Sequence, residues 1–424
     1  MKILWLVNIV MPELAVHLGE KPSVFGGWLT GALEAVRAAG HELTVCTVRE
    51  TEAEVRFQSD PRTTYLLCRD DEPDQLYRQF RSILEQERPD LVHIWGTEFA
   101  PSWALARAAD PEKLLVTIQG SLEIIKDHAR AGIPAKICRD TLLHRLLRRL
   151  HKGGQAIDLQ VKSFAQRAKI EVETLKRAKY IHGGSAWGNE VAKAIHPGCT
   201  TFDASLILRS SFYDAPLWDI DQCEAHTIYA LCTYPVKGFH CLLEAMPAVL
   251  KRFPDAKILA PGQGLIRRPY TGLKKALMDA APDYQWYLQG LMDRYDLWDH
   301  VEFTGYLSED QVQTQLRRAH VFVSPSSIEN QSTALGEAMV LGVPSIASRV
   351  GAMEEMIDTG EDGFLYEFDN TEALAAHICR IFEDRELALQ FSREGRAHAR
   401  RTYDREKNCR DLLHIYETIG GGDK

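Results

Sequence analysis

Glu329 and Glu337 stand eight residues apart in the stretch SSIENQSTALGEAMVLGVPSIASRVG, residues 326–351. The stretch is rich in small polar side chains and follows the apolar run HVFVSPS. That run reads as a strand, the chain then turns through SIENQ, and a helix is expected to begin near Ser332–Thr333. A helix N-terminus presents unpaired N–H groups and partial positive charge, a natural seat for phosphate. Glu329 falls in the turn and Glu337 about one turn inside the helix. A carboxylate is a good acceptor for vicinal diols, so the two could grip sugar rings on either side of a diphosphate. Taken alone, the pair reads more simply as a turn residue and a charge on a helix surface. The surrounding elements have to decide between the two.

Those elements alternate. KILWLVNI, HELTVCTV, DLVHIW and KLLVTIQG read as strands, with GGWLTGALEAVRAAG and DQLYRQFRSILEQERP as helices between them. Short, almost wholly apolar strands separated by helices predict a parallel sheet covered on both faces. From Lys136 to about Lys179 the chain looks helical throughout, and an irregular stretch at 205–226 reads as a linker. Alternation then restarts with HTIYALC, FHCLLEAMPAVLKRF, AKILAPG and HVEFTG. SEDQVQTQLRRA follows as a helix with Ser308 and Gln311 as a capping box, then HVFVSPS, PSIAS and a helix AMEEMI. The fold class is therefore α/β, two doubly wound Rossmann-like domains in tandem facing each other across a cleft. Ligands in such sheets sit outside the C-terminal ends of the strands, which is where the two glutamates fall.

Pro325-Ser326, Glu329, Glu337, Ala338-Met339, Gly342, Pro344 and Gly351 together resemble the C-terminal signature of glycosyltransferase family 4, retaining enzymes of the GT-B fold that use nucleotide sugars. VKGFHCLLEAMPAVLKRFPDAKILAPGQG looks like the family's Lys-Gly segment and HVEFTGYLSEDQV like its nucleotide-base loop. FGGWLTGAL, HIWGTEF, TIQG and ILRSSFY resemble a subgroup associated with bacterial capsule and exopolysaccharide assembly. The resemblance implies an acceptor-binding domain over 1–204, a linker over 205–226, a donor-binding domain over 227–400 and a helix over 401–424 that crosses back. It implies that Glu329 binds hydroxyls of the transferred sugar, Glu337 the ribose hydroxyls, and Lys237 the departing pyrophosphate. Backbone N–H groups of Gln331, Ser332 and Thr333 would line the same site, with Tyr306 and Leu307 flanking the base. Gly26 and Gly27 would let backbone approach the diphosphate or the acceptor; their other reading is a tight strand-to-helix turn. Gln119 occupies a position where many relatives have a His that contacts a sugar.

The implied reaction moves a sugar from a nucleotide diphosphate sugar, with UDP-sugar the favoured donor, to a hydroxyl on a carbohydrate or lipid-linked acceptor. No carboxylate is an obvious nucleophile, so an oxocarbenium-like transition state with same-face attack is expected. No cofactor and no metal are expected, since no H-x-x-x-H or carboxylate cluster has metal-ligand spacing. The sequence departs from the family at ALCTYPVKG, where Cys232 or Thr233 stands in the place of an Arg. Arg267 or Arg268 of GQGLIRR could replace that charge. The missing Arg keeps two alternatives open: a catalytically weak or inactive nucleotide-sugar-binding subunit, and a sugar-nucleotide epimerase on the same fold.

His93 lies at a strand end in a cleft-facing position, where it would touch the acceptor or be a satisfied core histidine. The net charge of −9 does not suit nucleic acid as a partner. MKILWLVNIVMPELAV reads as a first strand rather than a secretory signal, and nine scattered cysteines fit free thiols, so a cytoplasmic protein is expected. One segment is different in kind. In Lys136–Lys152, Leu142, Leu143, Leu146, Leu147 and Leu150 recur at helical spacing, with Arg145, Arg148, Arg149 and Lys152 largely opposite. Such a helix reads either as an element resting on an anionic membrane surface, at the inner membrane face, or as a core helix with a solvated basic side.

Overall fold

The structure, a computed structural model, describes residues 1–23, 26–149, 155–262 and 272–421. In β1 (Lys2–Val7), Ile3, Trp5 and Val7 enter one apolar layer while Leu4 and Leu6 enter another. A strand apolar on both faces can be buried only where helices cover the sheet twice. The helix Gly27–Ala38 and the helix Arg405–Gly420 line the first layer, and Pro73–Glu87 and Ala100–Ala108 the second.

β1 belongs to an eight-stranded sheet with β2 (Glu42–Arg49), β3 (Val55–Asp60), β4 (Thr63–Arg69), β5 (Leu91–Trp95), β6 (Leu114–Thr117), β7 (Tyr180–His182) and β8 (Thr200–Phe202). The order is β3-β4-β2-β1-β5-β6-β7-β8, parallel throughout except for β3 against β4. The β3–β4 pair was not expected from sequence. Its alternate residues are only half-buried, so the apolar runs that betray the other strands are missing from β3. The second sheet holds β9 (Thr227–Tyr229), β10 (Lys257–Pro261), β11 (Val301–Gly305), β12 (Val321–Ser324), β13 (Ser345–Ser348) and β14 (Phe364–Tyr366), all parallel, in the order β11-β10-β9-β12-β13-β14. The Ser308–Gln311 capping box is present, and AMEEMI forms a short 3-10 turn, Gly351–Glu355, instead of an α-helix.

One compact unit comprises Met1–Glu123, Gln166–Ser210 and Tyr403–Lys424; the other comprises Ile124–Ala165 and Ser211–Thr402. The segment 124–165 thus belongs with the second sheet and not, as expected, with the first. Its carbonyl groups and side chains are held there. Ser327 Oγ donates to the His128 carbonyl at 3.0 Å, His240 Nε2 to the Ala131 carbonyl at 2.7 Å, and His144 Nε2 to the Pro282 carbonyl at 3.0 Å. Contrary to expectation, the chain is not helical throughout from Lys136 to about Lys179. Its described residues form the separate helices Ala135–Cys138, Leu142–Arg149 and Ile157–Arg177.

Candidate functional site

The second sheet grows outward from β9 through β10 to β11, then restarts on the other side of β9 with β12, β13 and β14. The β9/β12 pair is therefore its topological switch point, where loops from adjacent strands part and leave a crevice. Lys237 lies on the loop after β9 and Glu329 on the loop after β12. The two meet: Lys237 Nζ forms an ion pair with Glu329 Oε1, and Ser326 Oγ donates to the same oxygen at 2.7 Å. Burial disfavours the charged ammonium, but the Glu329 carboxylate, helped by Tyr234, outweighs it and holds the Lys237 pKa above the ordinary lysine range. Lys237, Ser326, Glu329 and Ser332 line one pocket of about 250 Å³, solvent-open space included, with Leu231, Ser324 and Ala334.

Two glycines let these loops approach so closely. A Cβ on Gly238 (φ +67) would fall 1.7 Å from the Pro325 carbonyl oxygen, and one on Gly351 (φ +54) 1.9 Å from the Glu329 carbonyl oxygen. The loop after β12 is thus gripped from both sides. Ser327 N donates to the Val236 carbonyl at 2.8 Å and Ala352 N to the Glu329 carbonyl at 3.1 Å. Immediately beyond, Ser332 caps the helix Thr333–Val340, its Oγ accepting from Leu335 N. Gln331, Ser332 and Thr333 therefore sit at a helix N-terminus beside the Lys237–Glu329 pair, where backbone N–H groups and the helix dipole favour an anion. Glu337 is buried one turn further in, so it is no surface charge. Tyr306 and Leu307 leave the C-terminal end of β11, two strands from β9, with Tyr306 half-exposed. Arg267 and Arg268 lie outside the described residues. Sequence reasoning gave Ser326 and Ser327 no role and missed the packing duty of Gly238; the Pro-Ser-Ser run and the Lys-Gly pair were the available signals.

In the first unit the sheet reverses between β1 and β5. Asn8 follows β1, Gly96 follows β5 and Gln119 follows β6. Asn8 Nδ2 donates to Gln119 Oε1 at 3.1 Å, while Gln119 Nε2 is buried and has no hydrogen-bond partner. Glu171, on the helix Ile157–Arg177, anchors the two neighbouring loops. This fully buried carboxylate accepts from Thr97 Oγ1 at 2.7 Å, Ser121 Oγ at 3.0 Å and Glu123 N at 3.1 Å. Burial raises its pKa against the effect of those donors. Gly26 and Gly27 open the helix Gly27–Ala38 and pack against the side chains of Ile9 and Arg209 respectively.

His93 needs correction. It is a core residue, fully buried, with both ring nitrogens engaged inside the unit. The directions of its bonds follow from one fixed acceptor. His182 Nε2 lies 2.8 Å from the Ala204 carbonyl and must donate to it, so His182 Nδ1 accepts from Thr117 Oγ1 at 3.2 Å. Thr117 in turn accepts from His93 Nε2 at 2.7 Å, and His93 Nδ1 accepts from Tyr416 Oη at 2.7 Å. Tyr416 then accepts from Trp5 Nε1 at 3.0 Å. Every polar atom in this chain is satisfied only if both imidazoles are neutral, and burial lowers both pKa values.

Residues 225–398 match the family model described as Glycosyl transferases group 1. Over those residues, within the second unit, the chain is similar to group 1 glycosyl transferases. Among curated proteins, the chain is 29% identical over 215 residues to the phosphatidyl-myo-inositol mannosyltransferase of Mycolicibacterium smegmatis, covering 50% of each. The chain thus spans about half the length of the curated mannosyltransferases it matches first. Among solved structures it is similar to sucrose-phosphate synthase from Thermosynechococcus elongatus, with TM-score 0.69, 16% identity and all of both chains covered. It is also similar to Anabaena HepE in complex with UDP and glucose, with TM-score 0.67, 14% identity, and 99% of this chain and 100% of that one covered. The chain has the GT-B fold.

In the second unit, Cys232 and Thr233 hold the place where the resemblance led an arginine to be expected before the Lys237-Gly238 pair. Cys232 there is buried, and burial alone pushes its thiol up to about 12. Thr233 Oγ1 is buried without a hydrogen-bond partner. Elsewhere in the unit, Asp358, Asp362 and His398 bring possible ligand atoms within 4.8 Å of one another. His398 Nδ1 already lies 2.6 Å from Asp362 Oδ2, and that hydrogen bond raises its pKa in spite of burial. Asp362 Oδ1 also accepts from Asp358 N at 2.8 Å, so this carboxylate closes the turn.

Proposed function

We propose that this chain is a retaining glycosyltransferase. It takes a nucleotide diphosphate sugar at the β9/β12 switch point and transfers the sugar to a hydroxyl acceptor. The observation that carries the reading is the Lys237–Glu329 pair beside the N-terminus of Thr333–Val340. A cation, a helix N-terminus and two carboxylates, Glu329 and Glu337, match a diphosphate with polyols at either end. UDP-sugar is the favoured donor, in keeping with the UDP bound in the solved Anabaena neighbour.

In the reaction the bond from sugar C1 to the diphosphate oxygen breaks and a bond from C1 to the acceptor oxygen forms. The acceptor proton passes to the departing phosphate. Negative charge grows on the leaving group, and a preorganised cation stabilises that charge more in the transition state than in the ground state. Lys237 supplies it. Glu329 holds Lys237 in place before the donor arrives and then accepts hydroxyls of the transferred sugar, so one carboxylate serves both states. Gln119 Nε2, buried and unpartnered, is a donor suited to an acceptor or sugar hydroxyl in the first unit. The acceptor is a carbohydrate or a lipid-linked sugar, and the reaction needs no metal or cofactor.

A thermal-shift panel of UDP-, GDP- and ADP-sugars identifies the donor. A ligand at 100 times its Kd raises apparent stability by about 2.7 kcal/mol. With that donor and a hydroxyl acceptor, NMR of the product should show the anomeric configuration of the donor kept. Inverted product overturns the retaining mechanism. Binding without transfer or hydrolysis of any donor favours the alternative that the absent arginine supports, a nucleotide-sugar-binding subunit.

A further inference from the structure

The helix Leu142–Arg149 splits its residues in a way that periodicity alone did not foresee. At 3.6 residues per turn, Leu142, Arg145, Leu146 and Arg149 fall within about 100° of one another. Leu142 is 81% exposed and Leu146 53%, with Arg145 and Arg149 exposed between and beyond them. The opposite side carries His144, which is buried and bonded to Thr141 and to the Pro282 carbonyl, together with half-buried Leu143 and Leu147. The leucines are therefore divided. One set fastens the helix to the second unit, and the other stands in water beside arginines. Leu150 and Lys152 lie outside the described residues.

We propose that this face, with Lys136 and Arg139 just before it, docks the protein on an anionic lipid bilayer. Large exposed aliphatic side chains are a liability in water unless something covers them. Among the described residues, six large apolar side chains stand out as exposed, and two of them lie one turn apart on this helix. Charge chooses the occupant. Residues 136–149 hold five Lys and Arg against one acid, Asp140, in a chain of net charge −9. Asp140 is itself paired with Arg145. Leucines at the acyl boundary with guanidinium groups at the phosphates describe an interfacial helix. A short helix with two such leucines gives reversible binding, not insertion, and no described helix is long and apolar enough to cross a membrane.

The test is sedimentation of the full chain with vesicles of phosphatidylcholine and phosphatidylglycerol, roughly 2:1, and with phosphatidylcholine alone; each cation near an anionic surface should contribute about a fivefold gain in partitioning. Binding is expected on the anionic vesicles only, and raised salt should release the protein. Arg139→Glu with Arg149→Glu should remove binding, and so should Leu142→Ser with Leu146→Ser. Both double variants should keep the wild-type melting temperature, because all four side chains are exposed. Failure of the wild type to sediment overturns the proposal, as does equal binding to neutral vesicles or undiminished binding by both variants. Self-association that the leucine variant abolishes, in a wild type that ignores vesicles, would make the face a protein interface and overturn it equally. Sedimentation needs no donor sugar, so its outcome is independent of the transferase reading.

Discussion

At the scale of single residues, the site turns on whether Glu329 serves Lys237 alone or also a ligand. A half-buried ion pair that only neutralises itself would be lost to stability when one partner goes, and to nothing else. If Glu329 also accepts sugar hydroxyls, Glu329→Gln should weaken donor binding by about tenfold to a hundredfold, the worth of a charge-assisted hydrogen bond. Unfolding should stay cooperative. Titration calorimetry with the matching nucleotide sugar checks this, and an unchanged affinity would confine Glu329 to holding Lys237. Glu337→Gln should lose a similar amount, and the loss should disappear for a ligand that lacks the ribose hydroxyls. At this scale the sequence was readable where side-chain chemistry is rare and clustered. It was unreadable at His93, where burial and a hydrogen-bond chain running from Trp5 to Ala204 join residues up to 411 apart in sequence, across strands and the helix Arg405–Gly420. The same limit hid Glu171, a helix glutamate whose partners, Thr97 and Ser121, are 74 and 50 residues away.

At the scale of elements, the active geometry depends on two loops meeting at the β9/β12 edge. Gly238 and Gly351 leave no space for a side chain against the carbonyls of Pro325 and Glu329. Gly238→Ala and Gly351→Ala must each move a loop as well as strain a positive φ, so each should destabilise by about 1–3 kcal/mol in denaturant titrations. Both should also lose donor affinity, whereas Gly360→Ala, at a positive φ with open space around it, should show strain without that loss. Alternating strands and helices were legible because strands buried on both faces are apolar runs. The amphipathic edge strand β3 and the attachment of 124–165 to the second unit were not. The first lacks an apolar run, and the second rests on bonds from Ser327, His240 and His144 that local periodicity does not encode.

At the scale of the whole molecule, buried neutral histidines set an acid limit. Burial lowers the pKa of His93 and His182, and takes His240 and His320 down to about 4. Unfolded, each would take up a proton near 6.5, so below that pH the unfolded chain binds protons that the native chain refuses. Their stability is present above 6.5 and is lost as pH falls, by about 1.4 kcal/mol per histidine per pH unit. His398, raised by Asp362, acts in the opposite sense but is one residue against four. The melting temperature should therefore drop between pH 7.5 and 5.5, and a flat profile would mean these imidazoles are charged or exposed. For the account as a whole, the deciding measurement is steady-state turnover of the matching nucleotide sugar by Lys237→Ala. Loss of a preorganised cation at the leaving group should lower kcat by about 10²–10³ with KM little changed, and Lys237→Arg should recover only part of it. Turnover that stays at the wild-type rate in Lys237→Ala would contradict the assignment of the β9/β12 switch point as the place where the sugar leaves its diphosphate.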